Sequence, residues 1–172
     1  IISFLLFLMD DVRKKRLNVV VIGHVDSGKS TLIGSLMQSL GLVPQKTLHK
    51  NKTESKKIGK GSFHLAWGTD ETPQERERGV TIDIANQSFE TDKYIIEIID
   101  SPGHKNFIPN MISGATQADA AILVVDAFSG AFEVGFSERG QTKEHVSICR
   151  YLGIDQILVA INKIDACNFD QV

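Results

Sequence analysis

Gly23-His24-Val25-Asp26-Ser27-Gly28-Lys29-Ser30 is the stretch on which the reading of this chain turns. It fits the pattern G-x-x-x-x-G-K-[ST], a loop that wraps a chain of phosphates. Gly23 and Gly28 let the backbone close tightly enough for successive N–H groups to face one anion. Lys29 then reaches the outer phosphates, and the Ser30 hydroxyl is placed for Mg2+. The flanks agree with that geometry. Leu17-Asn18-Val19-Val20-Val21-Ile22 reads as a buried strand and Lys29 to Leu40 as a helix, so the positive end of the helix dipole points at the phosphates. The expected phosphate contacts are His24, Val25, Asp26, Ser27, Gly28, Lys29, Ser30 and Thr31. A glycine-rich turn that binds nothing could carry the same letters, but it has no need of this strand and this helix around it. Nothing in the loop itself selects a base.

A chain of 172 residues is long enough for one domain with a real core. Its 42% hydrophobic and 23% charged residues are ordinary for a soluble globular protein, and its net charge of −2 creates no global field toward nucleic acid. Cys149 and Cys167 lie far apart and in no metal-ligand spacing, which fits a reduced, cytoplasmic compartment. Ile1 to Met9 is apolar but too short to cross a bilayer, and it lacks the basic start and small-residue cleavage site of a secretory signal. No membrane is expected as a partner. Residues 1–16 read as a leader of unclear origin, apolar and then charged, ahead of one nucleotide-binding domain over 17–172.

Leu32, Ile33, Leu36, Met37 and Leu40 share one helical face, with Gly41 as a C-terminal stop. From Leu42 to Gly79 strand character is missing, and Lys46, Lys50, Lys52, Lys56, Lys57 and Lys60 surround the single acid Glu54. One or two short exposed helices are expected there, their basic face either solvated or in contact with RNA phosphates. Thr81 to Phe89 and Tyr94 to Ile99 predict an antiparallel hairpin turning at Thr91-Asp92-Lys93. Phe107, Ile108, Met111 and Ile112 mark a short helix that tolerates Pro109 in its first turn. Ala120 to Val125 reads as a strand buried on both faces, and Ala127 to Gly140 as a glycine-rich loop. A helix over Thr142 to Leu152 should bury Val146, Cys149 and Leu152, and a further buried strand should run from Gln156 to Ile161. This alternation predicts an α/β fold: a mostly parallel sheet with one antiparallel strand and helices on both faces. Such sheets bind ligands at the carboxyl ends of their strands, where all the motifs fall.

Asp100-Ser101-Pro102-Gly103 closes one strand. A carboxylate there suits Mg2+, directly or through water, and Gly103 lets a backbone N–H approach the γ-phosphate. Asn162-Lys163-Ile164-Asp165 closes another. The Asp165 carboxylate can accept from N1–H and the 2-amino group of guanine, two donors that adenine lacks, and the Lys163 stem can lie along the base. Thr81, in Arg78-Gly79-Val80-Thr81, is spaced to bring its hydroxyl to Mg2+ when a γ-phosphate is present and to release it after hydrolysis.

The loop, Glu75-Arg76-Glu77-Arg78-Gly79-Val80-Thr81-Ile82-Asp83, Asp100-Ser101-Pro102-Gly103-His104 and Asn162-Lys163-Ile164-Asp165 together resemble the translational GTPases, nearest the elongation factor 1-alpha group. The resemblance runs from Leu17 to Asp165. It implies a P-loop GTPase domain using GTP/GDP and Mg2+, stimulated by its partner the ribosome, monomeric and cytoplasmic. Its branches include tRNA-delivering elongation factor 1-alpha, the GTPase partner of the release factor, and the ribosome-rescue GTPase that partners the tRNA-mimicking protein Pelota. Asp70-Glu71-Thr72, Phe107 to Ile112 with Pro109, and Val125-Asp126-Ala127 followed by Gly130-Ala131-Phe132-Glu133 look most like the rescue branch. The resemblance further implies that His104 orients the attacking water on the ribosome and that Val25 and Val80 hold it back beforehand. Asp26 matches a position used near the phosphates, through a monovalent cation in some members. The basic run before Gly79 would be placed to meet ribosomal RNA, and Arg76 and Arg78 are read as solvated charges beside the switch rather than as an arginine finger.

The family's last base-recognition loop, usually Ser-Ala, its strand and helix, and two β-barrel domains have no counterpart in these 172 residues. The expectation is therefore a truncated GTP-binding domain with part of its sheet uncovered and weakened nucleotide affinity. A P-loop kinase is disfavoured by Asn162 to Asp165 and by the lack of an acceptor-binding lid. A sulfate-activating GTPase subunit is disfavoured by the insert from Gly130 to Gly140. Lys29, Ser30, Thr81, Asp100 and His104 argue against a non-hydrolysing binding module.

Overall fold

The computed structural model describes residues 14–44, 81–138 and 140–167, together with Lys46, Asn51, Thr53, Ser55 and Leu65. The apolar start, most of the basic run, Asp70 to Thr72 and Gln74 to Val80 lie outside the described residues; Lys46 is exposed.

Strand β1 (Lys15–Ile22) begins exposed and ends in Val19-Val20-Val21-Ile22, all buried. Consecutive β-branched side chains suit a strand covered on both faces. β1 accordingly sits at the centre of a five-stranded sheet of order β2-β3-β1-β4-β5. β2 (Ala85–Glu90) and β3 (Tyr94–Asp100) form the antiparallel hairpin, with Ala85 opposite Asp100. Thr91 closes the turn: its N–H and hydroxyl both donate to the Tyr94 carbonyl. β1 pairs in parallel with β3 and with β4 (Ala120–Asp126), and β4 in parallel with β5 (Ile157–Asn162). The predicted sheet, mostly parallel with one antiparallel strand, is the one observed.

Helices cover both faces. On one face, Val20, Ile22, Ile99, Ala121 and Leu123 pack against Met111 and Ala115 of α2 (Ile108–Ala115) and Cys149 of α4 (Gln141–Tyr151). On the other, Val21, Ile98 and Val124 meet Ile33 and Met37 of α1 (Lys29–Ser39). The α1 face is narrower than its spacing predicts: Leu32 and Leu36 are half-buried and Leu40 is exposed. Among the described residues no helix is long and apolar enough to cross a membrane.

Four predicted features need correction. The β2 strand starts at Ala85 rather than Thr81, because the segment before it makes tertiary contacts: Thr81 meets Ser30, and Asn110 Nδ2 donates to the Ile82 carbonyl. The loop from Ala127 to Gly140 contains a short helix, α3 (Ala131–Phe136), entered through Gly130 at φ 83°. In α4 the buried stripe is Gln141, Thr142, His145 and Cys149; Val146 is half-buried and Leu152 exposed. Among the described residues β5 pairs with β4 alone, and Leu158, Val159 and Ile161, predicted to be buried, are exposed.

Candidate functional site

The carboxyl ends of β1, β3, β4 and β5 converge on the loop that follows β1. Close approach is what demands its glycines: a Cβ on Gly23 would strike the Val124 carbonyl, and one on Gly28 would strike Asn162 Nδ2. Both glycines have positive φ, and so does Asp26, at 60°. Gly28 is the N-cap of α1, so the helix begins directly under the loop.

Lys29 is only 6% exposed, and its Nζ donates to the carbonyls of Gly23 at 3.1 Å and His24 at 2.8 Å. Burial pushes its pKa from 10.5 down to about 8, opposed by the charges of Asp100 and Asp26. A cation held out of water inside a preformed loop is one whose charged state an incoming anion would restore. The Ser30 and Thr81 hydroxyls lie 3.0 Å apart. Asp100, fully buried at the end of β3, shares this corner with Lys29, and a Cβ on Gly103 would collide with Lys29 Nζ. These oxygens are the hard donors a small divalent cation takes. Among the described residues no cluster of three or more His, Cys, Asp or Glu could hold a metal without help from a ligand.

The opposite end of the loop is tied to β5. Asn162 Nδ2 donates to the Ser27 carbonyl at 2.9 Å. Lys163, left-handed at φ 59°, donates through Nζ to the Asp26 carbonyl and to Asp126 Oδ2, each at 2.6 Å. Asp126 in turn accepts from the Phe128 N–H at 2.9 Å. Asp165 stands exposed on the 3-10 turn Ile164–Cys167. Thr31 and Val25 are half-buried. His104 follows Gly103: its Nδ1 accepts from the Asn106 N–H at 3.2 Å, and its ring lies 6.0 Å from that of Phe107.

Residues 14–172 match the family model described as the elongation factor Tu GTP-binding domain. The chain belongs to that family. It is 57% identical over 158 residues to elongation factor 1-alpha of Ignicoccus hospitalis, covering 92% of this chain and 36% of the relative. It is 54% identical over 159 residues to Protein HBS1 of Drosophila melanogaster, covering 92% of this chain and 24% of the relative. The chain thus spans little more than a third of such relatives at most. Among solved structures, Sup35 complexed with GDP is 31% identical with a TM-score of 0.57, over 92% of this chain and 29% of that one. The S. cerevisiae Ski7 GTPase-like domain bound to GTP has a TM-score of 0.84 over 96% of this chain and 38% of that one; at 21% identity it supports the fold.

Within this elongation factor Tu-type domain, the structure brings Lys29, Ser30, Thr81, Asp100, Gly103, Asn162 and Lys163 to one loop; His104 contacts Asn106 and Phe107, and Asp165 is exposed. Sequence reasoning missed Asp126 as the brace of Lys163, having noted it only as a branch marker. It also missed His145, fully buried behind the loop with its Nδ1 accepting from the Gly23 N–H at 3.3 Å. A polar stripe on a helix offers hydrophobic periodicity nothing to detect. A largely apolar cleft of about 490 Å3 also opens beside the loop, walled by His24 to Ser27 and by Phe128 and Phe132; Lys29, Ser30, Thr81 and Asp100 are not part of its lining.

Proposed function

We propose that the protein binds GTP and GDP with Mg2+ and hydrolyses GTP as the nucleotide-binding domain of a cytoplasmic translation factor. The observation that carries this reading is the gathering of a buried lysine, paired hydroxyls, a buried carboxylate and the Asn162-Lys163 brace on a single loop. Lys29 and the loop N–H groups bind the phosphates, and Gly103 leaves room beside Lys29 for the outermost one. Ser30, Thr81 and Asp100 are the residues that would hold Mg2+, which when bound neutralises charge on the outer phosphates. Asp165 reads guanine, the Lys163 stem flanks the base, and Asn162 keeps the two ends of the site in register. No described group beside the loop is a strong base, and positioning with electrostatics suffices for phosphoryl transfer. His104, turned toward Asn106, must swing to orient the attacking water, so hydrolysis is slow alone and fast on the ribosome. Thr81 releases its contact once the γ-phosphate has gone.

The branch we favour is rescue of stalled ribosomes with a Pelota-like partner, on the strength of Asp70 to Thr72, Pro109, and Asp126 with the following insert. A relative not named as an elongation factor, Protein HBS1, matches nearly as well as those that are. Delivery of aminoacyl-tRNA is the second reading: the 57% identity to elongation factor 1-alpha favours it, and the brace on Lys163 ties Asp126 to the nucleotide site before any partner. The release-factor GTPase is the remaining alternative. The deciding experiment compares GTP hydrolysis by the full-length protein on ribosomes with an empty A site, given either a Pelota-like protein or aminoacyl-tRNA. Stimulation by the Pelota-like protein alone establishes rescue; stimulation by aminoacyl-tRNA makes this an elongation factor. In the same assay His104→Ala should keep GTP binding and lose the stimulation, and an unchanged stimulated rate removes His104 from the mechanism.

A further inference from the structure

His145 lies on the buried stripe of α4 and is 0% exposed. Its Nδ1 accepts the backbone N–H of Gly23 at 3.3 Å. A ring nitrogen that accepts carries no hydrogen, so the proton of the neutral imidazole sits on Nε2. That Nε2 is buried and has no hydrogen-bond partner among the described residues. Burying a donor without a partner is costly, and an aliphatic side chain here would avoid the cost. The one interaction that a leucine could not make is the bond to Gly23.

Gly23 is where the chain leaves β1 and turns into the loop. Every part of it is held. Its N–H goes to His145, its Cα lies so close to the Val124 carbonyl that no Cβ fits, and its own carbonyl accepts from Lys29 Nζ at 3.1 Å. The next residue repeats the contact in reverse: His24 Nδ1 accepts the N–H of Gln141, the first residue of α4, at 3.4 Å. Helix α4 therefore grips consecutive loop residues, once by a side chain and once by its backbone. Burial first, and then the titratable groups that face it, Lys29 and His24, keep the pKa of His145 near 4, so the ring stays in the neutral form that can accept.

We propose that His145 is a positioning residue of the phosphate loop, holding the Gly23 N–H from behind so that the peptide planes of the loop are set before a nucleotide arrives. The role rests on reading Gly23 to Ser30 as the phosphate site; His145 itself touches no phosphate.

The test compares the full-length protein with its His145→Asn and His145→Leu variants. Asparagine places an oxygen where Nδ1 stands, whereas leucine fills the space without an acceptor. Fluorescent GDP should dissociate about fivefold faster from the leucine variant, the effect of losing one hydrogen bond, and within about twofold of wild type from the asparagine variant. Because both changes disturb the core, rescue by asparagine separates positioning from stability, and melting temperatures measured alongside show that the two do not track. A wild type that binds no GDP overturns the phosphate reading and this role with it. A wild type that binds GDP while both variants release it at the wild-type rate, or equally fast, overturns the role alone. If neither variant folds, 15N-labelled wild type decides. Scalar coupling between the Gly23 nitrogen and an unprotonated His145 Nδ1 supports the role; a protonated Nδ1 without coupling overturns it.

Discussion

At the proposed phosphate end of the site Lys29 is 6% exposed and is surrounded by buried Ser27, Asp100 and His145; at the proposed base end Asp165 is exposed and β5 shows Leu158 and Ile161 to solvent. The two ends share one sheet and one loop, yet they sit in different dielectric surroundings. In the buried corner a charge interaction is strong and an unmatched charge is expensive, which is why the pKa of Lys29 is driven down. In the exposed corner water competes for every hydrogen bond, so a contact to a base is worth less. Affinity should therefore come mostly from the phosphate end and selectivity from the base end.

The most severe way to break this contrast is Lys29→Ala. GDP affinity should fall by at least about 100-fold, or ~3 kcal/mol, while the empty protein melts no lower, because the change removes a desolvated lysine. Fluorescence titration and thermal melting check both halves. The same lysine predicts a proton signature. With its pKa near 8 in the empty loop, Lys29 is partly neutral at pH 8.5, and bound phosphates should return its charge. Calorimetry in buffers of different ionisation enthalpy should then show uptake of somewhat under one proton per GDP, and none in Lys29→Ala.

Acid should act through the phosphate end as well. The folded pKa of His145, about 4, lies below the ordinary 6.5, so its contribution is complete above pH 6.5 and is lost as pH falls toward 4. Denaturant unfolding at pH 7 and 4.5 should differ by about 2–3 kcal/mol on this account, with His24 pushing the same way and the difference smaller in His145→Asn. At the base end, Asp165→Ala should weaken GDP binding by only about tenfold while leaving the affinity for ATP unchanged, so that ATP competes about tenfold better against GDP. A loss as large as that of Lys29→Ala would mean that the base end is as dry as the phosphate end. The smallest effect belongs to β5: in this 172-residue chain Leu158, 65% exposed, should tolerate serine within about 0.5 kcal/mol by thermal melting.

The loop, the sheet class and most of the residues gathered at the site were legible in the sequence because each rests on local rules. Gly23 and Gly28 mark close backbone approach, Val19 to Ile22 mark a covered strand, and Asp100 and Asn162 fall where strands end. What was misread depends on neighbours distant along the chain. Leu158 and Ile161 read as buried because apolar strand residues usually are, but their exposure depends on what covers the two faces of the sheet at β5. His145 and Asp126 carry no pattern of their own; their partners, Gly23 and Lys163, are 122 and 37 residues away.

The amino-acid sequence by itself determined that a lysine, hydroxyls and a carboxylate gather on the loop proposed to bind phosphates, since strand ends and glycine turns follow from nearest-neighbour sterics and burial of apolar side chains. Only the tertiary structure decided that Lys29 is dry and Asp165 wet, that His104 faces Asn106, and that α4 grips the loop through His145 and Gln141. Those outcomes depend on desolvation and on hydrogen bonds between residues far apart in sequence, and neither quantity exists until the sheet and its helices have closed on one another.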